Sequence, residues 1–368
     1  MKNTVPALYV HIPFCDHICS YCDFPKLLSK TNFQDAYLKR LILNLKKIDQ
    51  KEFDTIFIGG GTPSSLTLVQ LESLLSFISE SFSCKKEYSF EANPESLSLE
   101  KIKLLVNHGV NRVSLGVQSF KKESLVLLNR MHRKEDVFEV VKNLQDNGIT
   151  NINLDFIFGL KIESNKDYLT NIQTAKKLGI KHISYYSLQI EAGTRLFRTP
   201  EVRKEDDKLA DDYAFIVSSL REYGYFQYEI SNFALPGFES KHNLTYWHNK
   251  QYYGIGLGST SSVYNAKIMQ TRNITKYIGE DETPETATLE DESDREFNYL
   301  MLNLRLVEGF SLDEYKDIFH KDFLVEYAKE IEFEKDDLIF KDNRVSVKPE
   351  KFYILDSVLV DLLHFKEK

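Results

Sequence analysis

The sequence predicts an α/β fold, a partial (β/α)6 barrel followed by a smaller mixed α/β domain, and three observations carry that expectation. Six short apolar runs, ALYVHIPF, TIFIGGG, EYSFEANP, RVSLGVQS, NINLDFIFGL and HISYYSLQI, recur between residues 7 and 190. Helical patterns separate them, too long for hairpin turns, so the strands should lie parallel and be joined by right-handed crossovers. A chain of 368 residues can bury a large barrel core and still supply an appendage.

The first strand, from Ala7, leads into a loop and then a helix whose Leu38, Leu41, Leu45 and Ile48 fall on one face. The second strand ends in Gly59-Gly60-Gly61-Thr62-Pro63, and the next helix repeats the pattern with Leu68, Leu71, Leu75 and Ile78. Glu91 ends the third strand, Gln118 ends the fourth, Arg130 belongs to the helix that follows, and Asp155 lies within the fifth. In such barrels the loops at the carboxyl ends of the strands converge on one opening, so these polar residues should share a cavity. The charged segment from Glu201 begins another helix. Regular alternation then stops at an aromatic-rich stretch, and acidic residues 279–294 read as a solvated linker. The expected units are a barrel over residues 1–230, a connecting segment over 231–290 and a mixed C-terminal domain over 291–368.

The 47 basic and 55 acidic residues leave a net charge of -8, a balance that argues against nucleic acid as the main partner. No apolar run is long enough to span a bilayer, and the start MKNTVPALYVHIPF has neither the basic head nor the cleavage site of a signal peptide. The expected location is the cytoplasm.

Cys15, Cys19 and Cys22 form CxxxCxxC in the loop after the first strand, while Cys84 stands alone and reads as a small apolar residue beside a helix end. Three thiolates can anchor three irons of a [4Fe-4S] cubane and leave the fourth open to the amino and carboxylate groups of S-adenosylmethionine. The competing assignment is one zinc ion on the same cysteines with His11 or His17, although zinc sites usually bring paired CxxC motifs. Tyr9 and Tyr21 flank the motif and can offer an aromatic face to a ligand or simply pack. The Gly60, Gly61, Thr62 turn lets backbone approach a methionyl amine. An arginine such as Arg130 suits a carboxylate, and Asp155 or Gln118 suits ribose hydroxyls.

With these motifs in place, the chain resembles the HemW family of haem chaperones, radical-SAM proteins related to oxygen-independent coproporphyrinogen III oxidase (HemN). YVHIPFCDHICSYCDF, GGGTP, FEANP, LGVQSF, LLNRMHR, NLDFIFGL, YEISNFA and HNLTYW carry the likeness over roughly residues 7–310. The resemblance implies a radical-SAM partial barrel with a HemN-type C-terminal domain. It also implies a [4Fe-4S] cluster on Cys15, Cys19 and Cys22, and S-adenosylmethionine on Tyr9, Tyr21, Gly60, Gly61, Thr62, Glu91, Gln118, Arg130 and Asp155. Haem is the implied cargo, and apo-haemoproteins, membrane-associated ones included, are the implied recipients. HNLTYW resembles the signature HNxxYW and offers His242 as an axial ligand, with His248 as the other candidate. Oxidases of the related branch carry a cysteine two residues after the third cluster cysteine and a longer leader. Here that position is Phe24, and the chain begins eight residues before Tyr9. Both features point to a chaperone without oxidase activity, the alternative being coproporphyrinogen III dehydrogenase. Three departures from the family pattern are Lys161 in place of proline, Gly254-Ile-Gly-Leu-Gly-Ser-Thr-Ser261 in place of GxGxGAHS, and the C-terminal VSVKPEKFYILDSV.

Overall fold

A computed structural model describes residues 4–29, 33–279 and 285–363. The six expected strands are present as β1 (Ala7–Ile12), β2 (Glu52–Gly60), β3 (Ser83–Ala92), β4 (Arg112–Gln118), β5 (Asn151–Phe158) and β6 (His182–Ser187). They pair in parallel, each beside the next in sequence order. Helices α1 (Gln34–Lys46), α2 (Leu68–Ser81), α3 (Leu99–Asn107), α4 (Lys134–Asp146) and α5 (Asn165–Lys177) make the crossovers, and α6 (Asp206–Glu222) follows β6. Start signals are local: Thr67 and Gln70 form a capping box on α2, and Ser98 accepts from Lys101 N at the start of α3. The apolar faces of α1 and α2 are buried as expected, apart from Leu68, which opens α2 and is exposed.

The sheet does not stop at six strands. Tyr252–Ile255 joins the free edge of β1 in parallel, and Thr260–Val263, Ala266–Gln270 and Glu285–Leu289 extend that edge as antiparallel neighbours. On the other edge Asn232–Ala234 pairs antiparallel with β6, and Phe226–Gln227 pairs with it in turn. The result is an open twelve-stranded sheet. The acidic stretch at 279–294 therefore differs from the linker expected of it. Residues 280–284 lie outside the described residues, but Glu285–Leu289 is a fully exposed strand, and Asp291 caps the helix Glu292–Asn303. Cys84 also differs: it sits in β3, half-buried, and not at a helix end.

Strand alternation sets the layers. On β4, Val113, Leu115 and Val117 enter the apolar core, whereas Arg112, Ser114, Gly116 and Gln118 line the barrel cavity. The same period turns Asn153, Asp155 and Ile157 of β5, and Ser184 and Tyr186 of β6, toward that cavity. Past the barrel, a three-stranded antiparallel sheet of Phe310–Ser311, Arg344–Val347 and Leu338–Lys341 packs with helices around Tyr299, Leu300, Tyr315, Phe319 and Phe323.

Candidate functional site

The cysteine loop is held in place before any ligand is considered. Phe14–Cys15 pairs in parallel with Leu27–Leu28, closing the loop on itself. Thr62 N donates to Phe14 O at 2.8 Å, Ser20 N to Leu128 O at 3.1 Å, Leu196 N to Ser20 O at 2.9 Å, and Asn129 Nδ2 to Ile18 O at 2.8 Å. These bonds tie the loop to the ends of three other barrel segments. Gly61 is required here for space, because a Cβ on it would lie 2.9 Å from Cys15 Sγ.

A cavity of about 620 Å³ opens beneath the loop, and all three cysteines line it. Eight of the nine residues expected at S-adenosylmethionine meet there: Tyr21, Gly60, Gly61, Thr62, Glu91, Gln118, Arg130 and Asp155. Tyr9 does not. It packs against Phe57 at 6.0 Å between ring centroids, and its hydroxyl bonds His11 Nδ1 at 2.9 Å. Arg130 lies outside the helix expected for it. That helix ends at Leu127, Asn129 takes a left-handed φ of 55°, and the turn swings Arg130 into the cavity.

The thiols already keep the company of donors. Thr62 Oγ1 donates to Cys15 Sγ at 3.5 Å, and Arg130 Nη1 donates to Cys19 Sγ at 3.3 Å. Arg130 also donates to Asn93 Oδ1 at 2.8 Å and to Gly116 O. Burial pushes the Cys15 thiol up to about 11, a rise opposed by the Thr62 bond and reinforced by Cys22 and Cys19. Such a thiol gives up its proton only when a metal takes the sulfur, which couples ligation to proton release. The cysteines form no disulfide, and three sulfurs lining one wall with hydroxyl and guanidinium donors fit a three-thiolate cluster carrying negative charge. Among the described residues no three His, Cys, Asp or Glu side chains are arranged as ligands of a single ion.

The carboxylates sit one layer deeper. Glu91 Oε2 accepts from Gly60 N at 2.8 Å, and burial raises the Glu91 carboxyl to about 7 despite that bond. Asp155 is also raised by burial, against bonds from Ser184, Ser114 and Asn153. Its Oδ2 accepts from Ser114 Oγ at 3.0 Å and its Oδ1 from Asn153 Nδ2 at 2.8 Å. Arg112, Ser114, Asn153 and Ser184 were not among the expected site residues, yet the period-two polar positions of RVSLGVQ signal the first two.

His242 has a different setting from the one its motif suggests. It lies on α7 (Lys241–Trp247), is 1% exposed, and shares hydrogen bonds with Thr55 Oγ1 at 2.8 Å through Nδ1 and with Tyr246 hydroxyl at 2.8 Å through Nε2. Both nitrogens are engaged, so no lone pair is directed at a haem iron. Burial lowers its pKa to about 3. Glu87 secures the helix start, accepting from Ser240 Oγ and from the backbone of Lys241 and His242. His248 is more accessible, with Nδ1 3.4 Å from Asn303 Oδ1 and Nε2 3.5 Å from Glu308 Oε1.

Comparison with known proteins bears on the same residues. The radical SAM superfamily pattern matches residues 9–175, which span the cysteine loop and five of the six barrel strands. Heme chaperone HemW of Lactococcus lactis subsp. lactis (strain IL1403) is 36% identical over 344 residues, 88% of each chain, and that of Bacillus subtilis (strain 168) is 40% identical over 283 residues, 74% of this chain and 75% of the other. The chain belongs to the heme chaperone HemW family. Radical SAM membership in turn implies a [4Fe-4S] cluster and S-adenosylmethionine. The fold, but no more, is shared with coproporphyrinogen III oxidase (HemN) from Escherichia coli, at a TM-score of 0.85 and 18% identity over 99% of this chain and 92% of that one. As a HemW-family chain it has, among the described residues, no helix long and apolar enough to cross a membrane.

Proposed function

We propose that this chain is a haem chaperone of the cytoplasm that holds a [4Fe-4S] cluster on Cys15, Cys19 and Cys22, binds S-adenosylmethionine in the barrel cavity, and passes haem to apo-haemoproteins. The observation that carries the reading is one cavity lined by all three cysteines and by polar residues from successive strand ends, in a chain 36% identical to a heme chaperone over 88% of its length. A cluster on three thiolates keeps one iron for the amino and carboxylate groups of S-adenosylmethionine and can supply an electron to its sulfonium.

The chain's own residues divide the binding work. Glu91 faces the Gly60 turn, where its carboxylate can accept an N–H bond from the amino group of the ligand. Arg130, beside Cys19, suits the carboxylate, while Asp155 and Gln118 suit ribose hydroxyls. Thr62 and Arg130 fix the sulfurs they touch. Phe24 is 64% exposed on the cavity rim, at the position where the oxidases have a further cysteine, and offers an apolar face to a porphyrin. Axial ligation by His242 would cost the bonds to Thr55 and Tyr246, so that residue must be tested directly.

Reconstituted protein is incubated without oxygen, once with haem and once with coproporphyrinogen III and S-adenosylmethionine. Haem should bind and move to an apo-haemoprotein, and no vinyl product should form. Decarboxylation, or failure to bind haem, would overturn the chaperone reading in favour of the dehydrogenase. Undiminished haem binding by His242→Ala would remove His242 from the haem site.

A further inference from the structure

Arg112 opens β4 at the floor of the cavity. It is 2% exposed, its guanidinium makes no hydrogen bond or ion pair with any described residue, and its Nε is buried without a partner. A buried cation held by no direct contact requires a reason, because an uncompensated charge in such a place costs several kcal/mol. The cavity supplies one. Arg112 shares its wall with Glu91 and Asp155, and the strand register places them further toward the strand ends on the same face: Ser89 lies opposite Arg112, Glu91 opposite Ser114, and Asp155 opposite Gly116.

Titratable groups packed around the cavity floor are held neutral or turned elsewhere. From β1, Tyr9 is raised well above the phenol range by burial and by Glu91. From β6, burial holds His182 well below the imidazole range and pushes Tyr186 up. Tyr228 and, on α7, Tyr246 are raised by burial in the same way, while His242 is lowered by it. Glu87 of β3 directs its oxygens to Ser89, Ser240 and the start of α7. Glu229 directs its own to Ser231 N and Asn232. Arg130 is another cation on the cavity wall, and its two terminal nitrogens are engaged with Cys19, Asn93 and Gly116 at the mouth.

We propose that Arg112 is a positioning residue that keeps Glu91 and Asp155 in the carboxylate form in which they accept hydrogen bonds from the amino group and the ribose of S-adenosylmethionine. This rests on the S-adenosylmethionine part of the reading above and is independent of haem. Burial raises both carboxyls; it is opposed at Glu91 by the Gly60 bond and then through space by Arg112, and at Asp155 by the bonds from Ser184, Ser114 and Asn153 and then by Arg112. Glu91 protonates as pH falls through about 7, so its capacity to accept an N–H bond from the ligand's amino group, and with it the affinity, should fall over that window. Removing the cation should move the window upward.

The test is equilibrium binding of S-adenosylmethionine to the anaerobically reconstituted protein between pH 6 and pH 9. Arg112→Gln should shift the midpoint up by about one unit, which is roughly a tenfold loss near neutral pH that narrows as pH rises. Arg112→Lys should keep the wild-type midpoint, and Glu91→Gln should bind weakly and lose the inflection near pH 7, keeping only the one from the ligand's own amino group, which titrates at about 7.7–8.0. An Arg112→Gln profile that is lower but parallel to wild type would make the residue merely structural and overturn the proposal. Should Arg112→Gln not fold, the other two variants decide: an inflection near pH 7 retained in Glu91→Gln, or a midpoint shifted in Arg112→Lys, overturns it. Wild type that never binds S-adenosylmethionine would instead refute the functional reading itself, while haem transfer is read separately.

Discussion

Arg130 Nη1 donates to Cys19 Sγ at 3.3 Å, joining residues 111 positions apart in the chain. The contact makes the cysteine loop and the Arg130 guanidinium on the cavity wall one mechanical unit. A guanidinium so placed stabilises negative charge on sulfur and still keeps its buried Nε without a protein partner. Arg130→Ala should therefore weaken S-adenosylmethionine binding by roughly ten- to hundredfold, the loss of about 1.5–3 kcal/mol expected for a charge-assisted bond. It should also lower the cluster's stability to chelators. Unchanged affinity and unchanged iron retention together would remove Arg130 from the site.

Replacing Cys15, Cys19 and Cys22 together by serine should abolish iron-sulfur absorption, whereas Cys84→Ser should leave about four irons per chain. Cys84 donates to the Asp54 carbonyl at 3.7 Å and does not line the cavity. Stoichiometric zinc without iron-sulfur absorption in the anaerobic wild type would restore the single-ion assignment.

The reasons that some of this was legible in the sequence and some was not are physical. Apolar runs separated by long amphipathic stretches leave few arrangements other than parallel strands with helical crossovers, and β1 to β6 follow. Glu285–Leu289 gave no such signal. Its five residues are all exposed, and it is a strand only because Ala266–Gln270 offers it hydrogen bonds. The cysteine motif is local and was readable. His242 was not, because its burial depends on Thr55, a partner 187 residues away in sequence. Tyr9 missed the cavity for a similar reason, its hydroxyl being taken by His11. Arg112 went unnoticed although its alternation with Ser114 and Gln118 was visible, since a polar residue at every second strand position ordinarily faces water.

Gly61→Ala tests the packing of the cysteine loop. The added methyl would stand 2.9 Å from Cys15 Sγ, from Phe14 O and from the Pro13 carbonyl carbon, two of them backbone atoms that cannot swing aside. Overpacking of this kind costs about 1–3 kcal/mol. The loop should shift to relieve it, and the measurable result is reduced iron content after reconstitution with little change in far-ultraviolet circular dichroism. Full iron loading would show that the loop is softer than its backbone bonds suggest.

The last prediction concerns His242 and acid stability. Its pKa is lowered from 6.5 to about 3 by burial first and Arg112 second, so the imidazole is neutral in the folded protein and free to charge in the unfolded one. Stability from this group is fully present above pH 6.5 and is lost as pH falls from there toward 3. The full swing is on the order of 5 kcal/mol. His242→Gln removes the titrating group together with the bonds to Thr55 and Tyr246, which should destabilise the protein by about 1–3 kcal/mol at pH 8. Below pH 6.5 the variant should then lose stability less steeply than wild type, so the gap between them narrows. Both proteins keep His11, lowered to about 4, and His182, so the difference in slope isolates His242. Urea unfolding midpoints collected from pH 8 to pH 4 provide the comparison. Parallel curves would mean that α7 opens to let the imidazole charge, which is also the motion that axial ligation by His242 would require.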